Sequence, residues 1–187
     1  AAIGLWPVGS AGQEVIFNAH DAPVHAVAFS NQMNVLASGS ADGTVKLWDV
    51  GTHALIRALV EHREAINALA FHPTSAMVIS AGDDATIRCW DVPDGQLIRV
   101  LNGHTGAVRA LALNKDGTRL ASASVDNTVS LWDIATGSLL HSWGGFSEGA
   151  EAVAFSPNGK LLAGGAYRDD FLLRLWGVEM GSELMTV

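Results

Sequence analysis

The chain has 187 residues, of which 49% are hydrophobic and 16% charged, a composition typical of a folded globular protein. Its 11 basic and 19 acidic residues give a net charge of −8, which argues against nucleic acid or an anionic membrane as the main partner, because both attract basic surfaces. A membrane-spanning helix needs about 20 consecutive apolar residues, and no apolar run in the sequence approaches that length. The single cysteine, Cys89, excludes an intrachain disulfide and fits a reducing compartment, so we expect a cytoplasmic protein.

A repeat of 42 residues organises the chain. Three residue types recur at this interval: the tryptophans Trp6, Trp48, Trp90 and Trp132, the histidines His20, His62 and His104, and the aspartates Asp42, Asp84 and Asp126. A further tryptophan, Trp176, follows after 44 residues. Because three residue types share one register, the match is not accidental and indicates a repeat architecture.

The elements predicted in chain order are short strands, four to a repeat. The chain opens on a third strand at 1–6 and a fourth at 14–17, and four sets follow. First strands are predicted at 24–29, 66–71, 108–113 and 150–155, second strands at 35–38, 77–80, 120–122 and 161–164, third strands at 45–48, 87–90, 129–132 and 172–176, and fourth strands at 55–59, 97–101, 139–143 and 183–187. The first strands carry alanine between larger apolar residues, so we expect them to be central and buried on both faces. In the fourth strands, Arg57 and Arg99 alternate with apolar residues and are expected to point away from them, as on an outer edge strand.

Four short strands per repeat predict an all-β fold of β-propeller blades, each with four antiparallel strands. Amphipathic helices of a helical solenoid do not fit segments with a period of two. The chain holds about 4.5 repeats, which predicts a partial or open propeller within a larger ring. We divide it into the end of an incomplete blade at 1–22 and repeats at 23–64, 65–106, 107–148 and 149–187.

The sequence resembles the WD-repeat β-propeller family. The resemblance rests on Trp48-Asp49, Trp90-Asp91 and Trp132-Asp133 at strand ends and on Gly103-His104 ahead of a first strand. There are departures from the pattern: Ala19 and Glu61 replace the glycine before the histidine, and the fourth repeat has Phe146 for the histidine and Gly177 for the aspartate. The family usually has seven blades, so the chain is part of a longer polypeptide, closes with another chain, or forms a small ring.

The resemblance implies a buried set of His, Ser, Asp and Trp in each blade. By register the sets are His20, Ser38, Asp42 and Trp48; His62, Ser80, Asp84 and Trp90; and His104, Ser122, Asp126 and Trp132; the fourth repeat keeps only Asp170 and Trp176. A buried carboxylate must be hydrogen-bonded, so we interpret these sets as structural. The alternative, a hydrolytic Ser-His-Asp triad, is disfavoured because the set recurs in three blades and no nucleophile elbow accompanies any serine.

The resemblance also implies binding residues on one rim, at fixed offsets from the histidine and the turn aspartate. The polar residues at these positions are His25, Asn67, Asp83, Arg109, Glu151 and Asp169. The fourth repeat has two extra residues around 167–168, and this turn is either a tolerated irregularity or a recognition loop formed by Tyr167, Arg168 and Asp169. The later blades are net acidic at these positions, which favours a basic peptide as the partner.

Function follows from the resemblance rather than from the fold alone. We expect a non-catalytic scaffold or adaptor that binds proteins or peptides through its rims, without a cofactor or metal. A second hypothesis is a regulatory or sensor domain of a larger signalling enzyme, such as a kinase or NTPase, and a hydrolase is a third. No glycine-rich phosphate loop precedes a helix, and His20 and His25 belong to different structural positions, so neither a nucleotide nor a shared metal is expected.

Overall fold

The computed structural model describes residues 1–6, 14–166 and 172–187. These residues form eighteen β-strands and no helix, and therefore no helix that could cross a membrane. The incomplete blade consists of β1 (Ala2–Leu5) and β2 (Val15–Asn18). Blade 1 contains β3 (Val24–Phe29), β4 (Val35–Ser40), β5 (Val45–Asp49) and β6 (Leu55–Leu59), and blade 2 contains β7 (Ile66–Phe71), β8 (Met77–Gly82), β9 (Ile87–Asp91) and β10 (Leu97–Leu101). Blade 3 contains β11 (Val108–Leu113), β12 (Arg119–Ser124), β13 (Val129–Asp133) and β14 (Leu139–Trp143), and blade 4 contains β15 (Ala150–Phe155), β16 (Leu161–Ala166), β17 (Leu173–Gly177) and β18 (Glu183–Thr186).

Each full blade is an antiparallel meander in which sequential strands are hydrogen-bonded neighbours. The first strands of successive blades, β3, β7, β11 and β15, contact one another, so the blades fan out from a common axis. The described residues thus form an open arc of propeller blades, which confirms the predicted fold class. The rim at which the first strand of every blade begins is called the upper rim below.

The turn between the second and third strands is tight in every described case. Its central residue has a left-handed backbone, with φ of +77° at Gly43, +60° at Ala85 and +70° at Asn127. The preceding aspartate stabilises the turn because its carboxylate accepts the N–H of the residue two positions on, as Asp42 does from Thr44 at 2.9 Å. Asparagine tolerates this conformation and alanine does not, so Ala85 is strained.

The core lies between blades rather than within them. Small residues of a second strand and aliphatic residues of a third strand form one side, as Ala37 and Leu47 do in blade 1. The next blade covers them with its third-strand tryptophan, here Trp90, which is buried. The same arrangement recurs between blades 2 and 3 and between blades 3 and 4. Trp6 is 66% exposed, but the other periodic tryptophans of the sequence are therefore the residues that join one blade to the previous one.

The structure corrects the expectation that the first strands are buried on both faces. The second strands have that position: every residue of β4 is buried, whereas Val27 and Phe29 in β3 are each 56% exposed. A first strand is the axial edge of its sheet, whereas a second strand lies between two strands and between two blades. Leu69 and Phe71, the equivalents in blade 2, pack against the core shared with blade 1.

The outer arginines Arg57 and Arg99 also form hydrogen bonds to the next blade, which the sequence did not predict. The Arg57 guanidinium donates to the Pro93 carbonyl at 3.2 Å, and that of Arg99 donates to the Ile134 carbonyl at 2.7 Å. Each acceptor belongs to the blade that follows. These side chains therefore tie neighbouring blades together at their outer strands.

Candidate functional site

A β-bulge interrupts the first strand of every blade close to the upper rim. In blade 1, Val24 pairs with Ser40 and Ala26 pairs with Gly39, which leaves His25 as the extra residue. The same irregularity recurs in the other three blades. The four extra residues, called the inner bulge residues, are His25, Asn67, Arg109 and Glu151. A bulge redirects the side chain of its extra residue, and it places these four at equivalent positions on adjoining strands around the axis.

Three of these residues form a connected polar network with Asp83. The Asn67 amide donates to Asp83 Oδ1 at 2.7 Å, and Arg109 Nη1 donates to the same oxygen at 3.0 Å. On its other side, Arg109 Nε lies 3.8 Å from Glu151 Oε1. The network therefore crosses blades 2, 3 and 4, and its charged side chains are each about one-third exposed, at 34% for Arg109, 37% for Asp83 and 29% for Glu151.

The remaining rim candidates fall into two groups. His25 is exposed in blade 1 at the position equivalent to Asn67. Tyr167, Arg168 and Asp169, together with the expected set member Asp170, lie outside the described residues. The structure thus brings together four of the predicted rim residues, Asn67, Asp83, Arg109 and Glu151, and places His25 at the start of the same row.

A second polar arrangement, buried between the strands, repeats in blades 1 to 3. In blade 1, His20 Nδ1 lies 2.9 Å from Asp42 Oδ2, and His20 Nε2 lies 2.7 Å from Ser38 Oγ. The Trp48 indole N–H donates to the same serine oxygen at 2.8 Å. The corresponding distances in blade 2 are 2.9, 2.8 and 2.8 Å, and those in blade 3 are 2.8, 2.7 and 2.8 Å.

The acceptors and donors of this arrangement assign its protons. An ionised Asp42 can only accept, so the His20 Nδ1–H donates to it and His20 Nε2 accepts the Ser38 hydroxyl proton. Burial lowers the pKa of His20 and of His62, against the opposing effect of the aspartate beside each. Each of these two imidazoles is therefore neutral at neutral pH.

Hydrogen bonding keeps the partner carboxylates ionised. Burial alone would raise the pKa of Asp42, but hydrogen bonds from Thr44 and His20 outweigh it and lower the pKa to about 2. The pKa of Asp84 is also lowered, because bonds from Thr86 and the charge interaction with His62 outweigh the effect of burial. Each histidine–aspartate pair joins the loop before the first strand to the turn between the second and third strands.

The Ser–His–Asp distances resemble those of a catalytic triad, but the serines are inaccessible. Ser38, Ser80 and Ser122 are all fully buried, and each hydroxyl is already bonded to an imidazole and an indole. A nucleophile must reach the substrate carbonyl, which these oxygens do not. The arrangement gives these buried polar groups hydrogen-bond partners. It also holds the loop before the first strand against the turn between the second and third strands of the same blade.

Blade 4 replaces this arrangement with apolar packing and one arginine. Phe146 is buried against Trp176, whose indole N–H has no hydrogen-bond partner among the described residues. A Cβ at Gly164, where the other blades have serine, would lie only 2.9 Å from the six-membered ring of Trp176. The Arg174 guanidinium donates to the Gly145 carbonyl at 2.8 Å and lies 5.5 Å from the Phe146 ring centre. It therefore holds the loop that the histidine holds elsewhere.

Sequence reasoning missed the role of Arg174. Trp143 stacks on Trp176 with 5.1 Å between ring centroids and donates to the Gly181 carbonyl at 2.7 Å, so it packs between blades 3 and 4. Lys46 could have indicated the role of Arg174, because it occupies the same register of blade 1 as that arginine does of blade 4. Its ammonium group donates to the Ala19 carbonyl at 2.7 Å. Within the described ranges, no three His, Cys, Asp or Glu side chains form a group that could hold a metal ion.

Comparison with known proteins places this geometry in a family. No curated protein matches the chain. The family model for the WDR36/Utp21 second beta-propeller domain matches residues 6–183, which is almost the whole chain and includes blades 1 to 3 and the first three strands of blade 4. Both the match and the observed blades agree with the WD-repeat resemblance of the sequence. The chain belongs to the WDR36/Utp21 second beta-propeller domain family.

Proposed function

We propose that this domain is a non-catalytic scaffold that binds a partner protein through the inner bulge residues and Asp83. One observation carries the proposal: a bulge in each first strand presents a polar side chain at the same place in four adjoining blades. Bulges of this kind are enriched where a protein redirects side chains toward a ligand. The family match supports an interaction module of this general class, because propeller domains typically bind proteins.

The charge of the network favours a basic segment as the partner. Asp83 and Glu151 flank a single guanidinium, that of Arg109, so the described network has a net negative charge. Each carboxylate is partly exposed, so a partner can reach its oxygens. Lysine or arginine side chains of a partner would meet these oxygens, and the net charge of −8 would favour their approach.

A peptide-binding experiment tests this site. The probe is a fluorescein-labelled peptide of glycine, serine and arginine, and its counterpart has glutamate for arginine. We expect Asp83→Asn combined with Glu151→Gln to weaken binding of the basic peptide at least about fivefold, with a smaller difference at high salt. The control, Asp94→Asn with Glu179→Gln, removes the same charge from exposed turns at the opposite rim and should change binding less than about twofold. Equal weakening by both pairs would refute the site.

We also infer that the arc closes into a ring with further strands, from the same polypeptide or from another chain. Val27 and Phe29 are exposed on one side of the arc, and Leu161 and Leu173 are exposed in blade 4. Exposed apolar surface at both ends of an arc favours coverage by further blades. The mass of the native species tests one of these sources, since a monomer of 19.6 kDa would exclude closure by a second copy of this chain.

A further inference from the structure

The incomplete blade leaves one edge of β1 without a neighbouring strand among the described residues. β1 pairs with β2 alone, whereas β5, the strand at the same position in blade 1, pairs with β6 on one side and β4 on the other. Thr44 corresponds to Ala2, and the Thr44 carbonyl accepts the N–H of Ser40, a residue of β4, at 3.2 Å. By the same register the Ala2 carbonyl points to the free edge of β1, and the backbone groups of Gly4 do so as well, since they alternate along a strand. This edge is open to one further antiparallel strand.

The incomplete blade packs on blade 1 as blade 1 packs on blade 2. Ile3 lies in a buried cluster with Trp48, just as Val45 lies in a buried cluster with Trp90 at the next interface. This equivalence fixes where an added strand would lie. A strand at the free edge of β1 would lie against β3 as β4 lies against β7.

Val27 and Phe29 of β3 lack the cover that their equivalents in blade 2 have. These equivalents, Leu69 and Phe71 of β7, pack against the core to which β4 contributes. A Cβ at Gly39 of β4 would lie 3.4 Å from Leu69 Cδ1, so the two strands are in direct contact. Among the described residues β3 has no such neighbour in the incomplete blade, and Val27 and Phe29 are each 56% exposed. A strand added to β1 would cover them, and the burial of apolar surface would favour its binding.

The indole of Trp6 indicates one side chain that the added strand should carry. In blades 1 to 3 the tryptophan at this register donates its N–H to a serine of the second strand, as Trp48 does to Ser38 at 2.8 Å. Trp6 is 66% exposed, its ring lies against Gly4, and its N–H donates to none of the described residues. Ser38 pairs with Lys46, which corresponds to Gly4. A serine of the added strand opposite Gly4 would therefore accept the indole N–H once the ring of Trp6 turns toward it.

We propose that the free edge of β1 binds an extended segment of a partner protein as an antiparallel strand, with a serine opposite Gly4 between small or aliphatic residues. The proposal rests on the ring closure inferred above and specifies the strand that would extend the incomplete blade. The second strands β4, β8, β12 and β16 all pair within their own blades, so no second strand among the described residues is left for this edge. Backbone hydrogen bonds would give the added strand its affinity, and the alternate side chains would give its specificity.

Fluorescence anisotropy with a labelled peptide tests the proposal. The peptide carries Val-Leu-Ala-Ser-Gly-Ser, the sequence of β4, between glutamines, so that it has no charge that the axial site would attract. We expect methylation of its leucine and first serine nitrogens, which would face β1, to weaken binding at least about tenfold, because the strand then cannot donate to the edge. Alanine in place of the first serine should weaken binding at least about threefold.

Variants of the protein locate the site. Val27→Thr with Phe29→Thr should weaken binding at least about fivefold, because it removes apolar surface that the added strand would cover. The control, Leu55→Thr with Ile56→Thr, changes exposed apolar residues of an outer strand and should bind within about twofold of the wild type. In Trp6→Phe the serine and alanine peptides should bind equally, since the indole N–H that distinguishes them is gone.

Each result supports the proposal or counts against one part of it. Equal affinity of the methylated peptide would overturn strand addition, and wild-type affinity in the Val27 and Phe29 variant would overturn its position. If no peptide binds, acrylamide quenching of Trp6, taken as the difference between the wild type and Trp6→Phe, separates two reasons. A protected Trp6 would mean that the protein's own polypeptide fills the edge, and an accessible Trp6 would mean that the edge takes no strand; both exclude the partner. The basic peptide and the native mass test the axial site and the closure separately.

Discussion

Trp90 donates its indole N–H to the hydroxyl of Ser80 at 2.8 Å, and both residues are almost completely buried. The same hydroxyl lies 2.8 Å from His62 Nε2, so one serine oxygen satisfies two buried groups from other parts of the blade. We expect Ser80→Ala to lower the free energy of unfolding by about 1–3 kcal/mol, because it leaves a buried donor and a buried acceptor unpaired. The midpoint of urea denaturation measures this loss.

Ser75→Ala is the matched control for that variant, because Ser75 is exposed in the turn between β7 and β8. Its free energy of unfolding should stay within about 0.5 kcal/mol of that of the wild type. If Ser80→Ala were as stable as Ser75→Ala, the buried arrangement would not contribute to stability as argued.

Acid should destabilise the protein in two steps. Burial lowers the pKa of His20 and His62 below the ordinary 6.5, so the unfolded chain takes up these protons more readily than the folded one. Their contribution to stability is therefore complete above pH 6.5 and is lost as the pH falls below it. The pKa of Asp42, lowered from 3.8 to about 2, adds a further loss as the pH falls from 3.8 toward 2.

Denaturation midpoints measured from about pH 8 down to about pH 3 would show these steps. In the double variant His20→Gln and His62→Gln, the loss that begins near pH 6.5 should become smaller. A stability that is constant from pH 7 to pH 5 in the wild type would contradict the neutral, buried imidazoles.

The strained turn residue Ala85 offers a stabilising change. Its φ of +60° is unfavourable for a residue with a Cβ, and Gly43 adopts φ of +77° at the equivalent position of blade 1. We expect Ala85→Gly to raise the free energy of unfolding by about 0.5–1 kcal/mol, net of the greater chain entropy of glycine.

The reciprocal variant Gly43→Ala should destabilise by about 1–2 kcal/mol, because its Cβ would also lie 3.3 Å from the Glu64 carbonyl oxygen. Thermal unfolding of the two variants gives shifts of opposite sign. A shift of the same sign in both would show that this backbone conformation is not the deciding factor.

Much of the fold was predictable because its determinants are local and periodic. The recurring tryptophans and the alternating segments predicted four full blades and the order of the strands within them, and the structure has both. The burial of the first strands was mispredicted, since alanine between apolar residues occurs both in a central strand and in an edge strand packed beside its counterpart. Only the position of β3 at the axis, with β4 behind it, distinguishes the two.

The candidate surfaces depended more on the tertiary structure. The family resemblance implied rim positions for Asn67, Asp83, Arg109 and Glu151, but the sequence could not show that three blades join them into one network. Ile56 and its equivalents in the other fourth strands gave no signal at all, because an aliphatic residue in an apolar strand is expected to be buried. Their exposure follows from the position of the fourth strand at the outer edge of each blade, since Leu55, which is paired with Trp48, is as exposed as Ile56.

The sequence by itself determined the repeat and the strands within it, because these follow from residue types at fixed intervals along one chain, and the family resemblance added the histidine–aspartate pairs. The tertiary structure alone decided which side chains meet across blades and which leave the core, such as Arg57 reaching Pro93 and Ile56 turning outward. The physical reason is that contacts between blades join residues about one repeat apart, whose relative positions depend on the fan of the sheets around the axis.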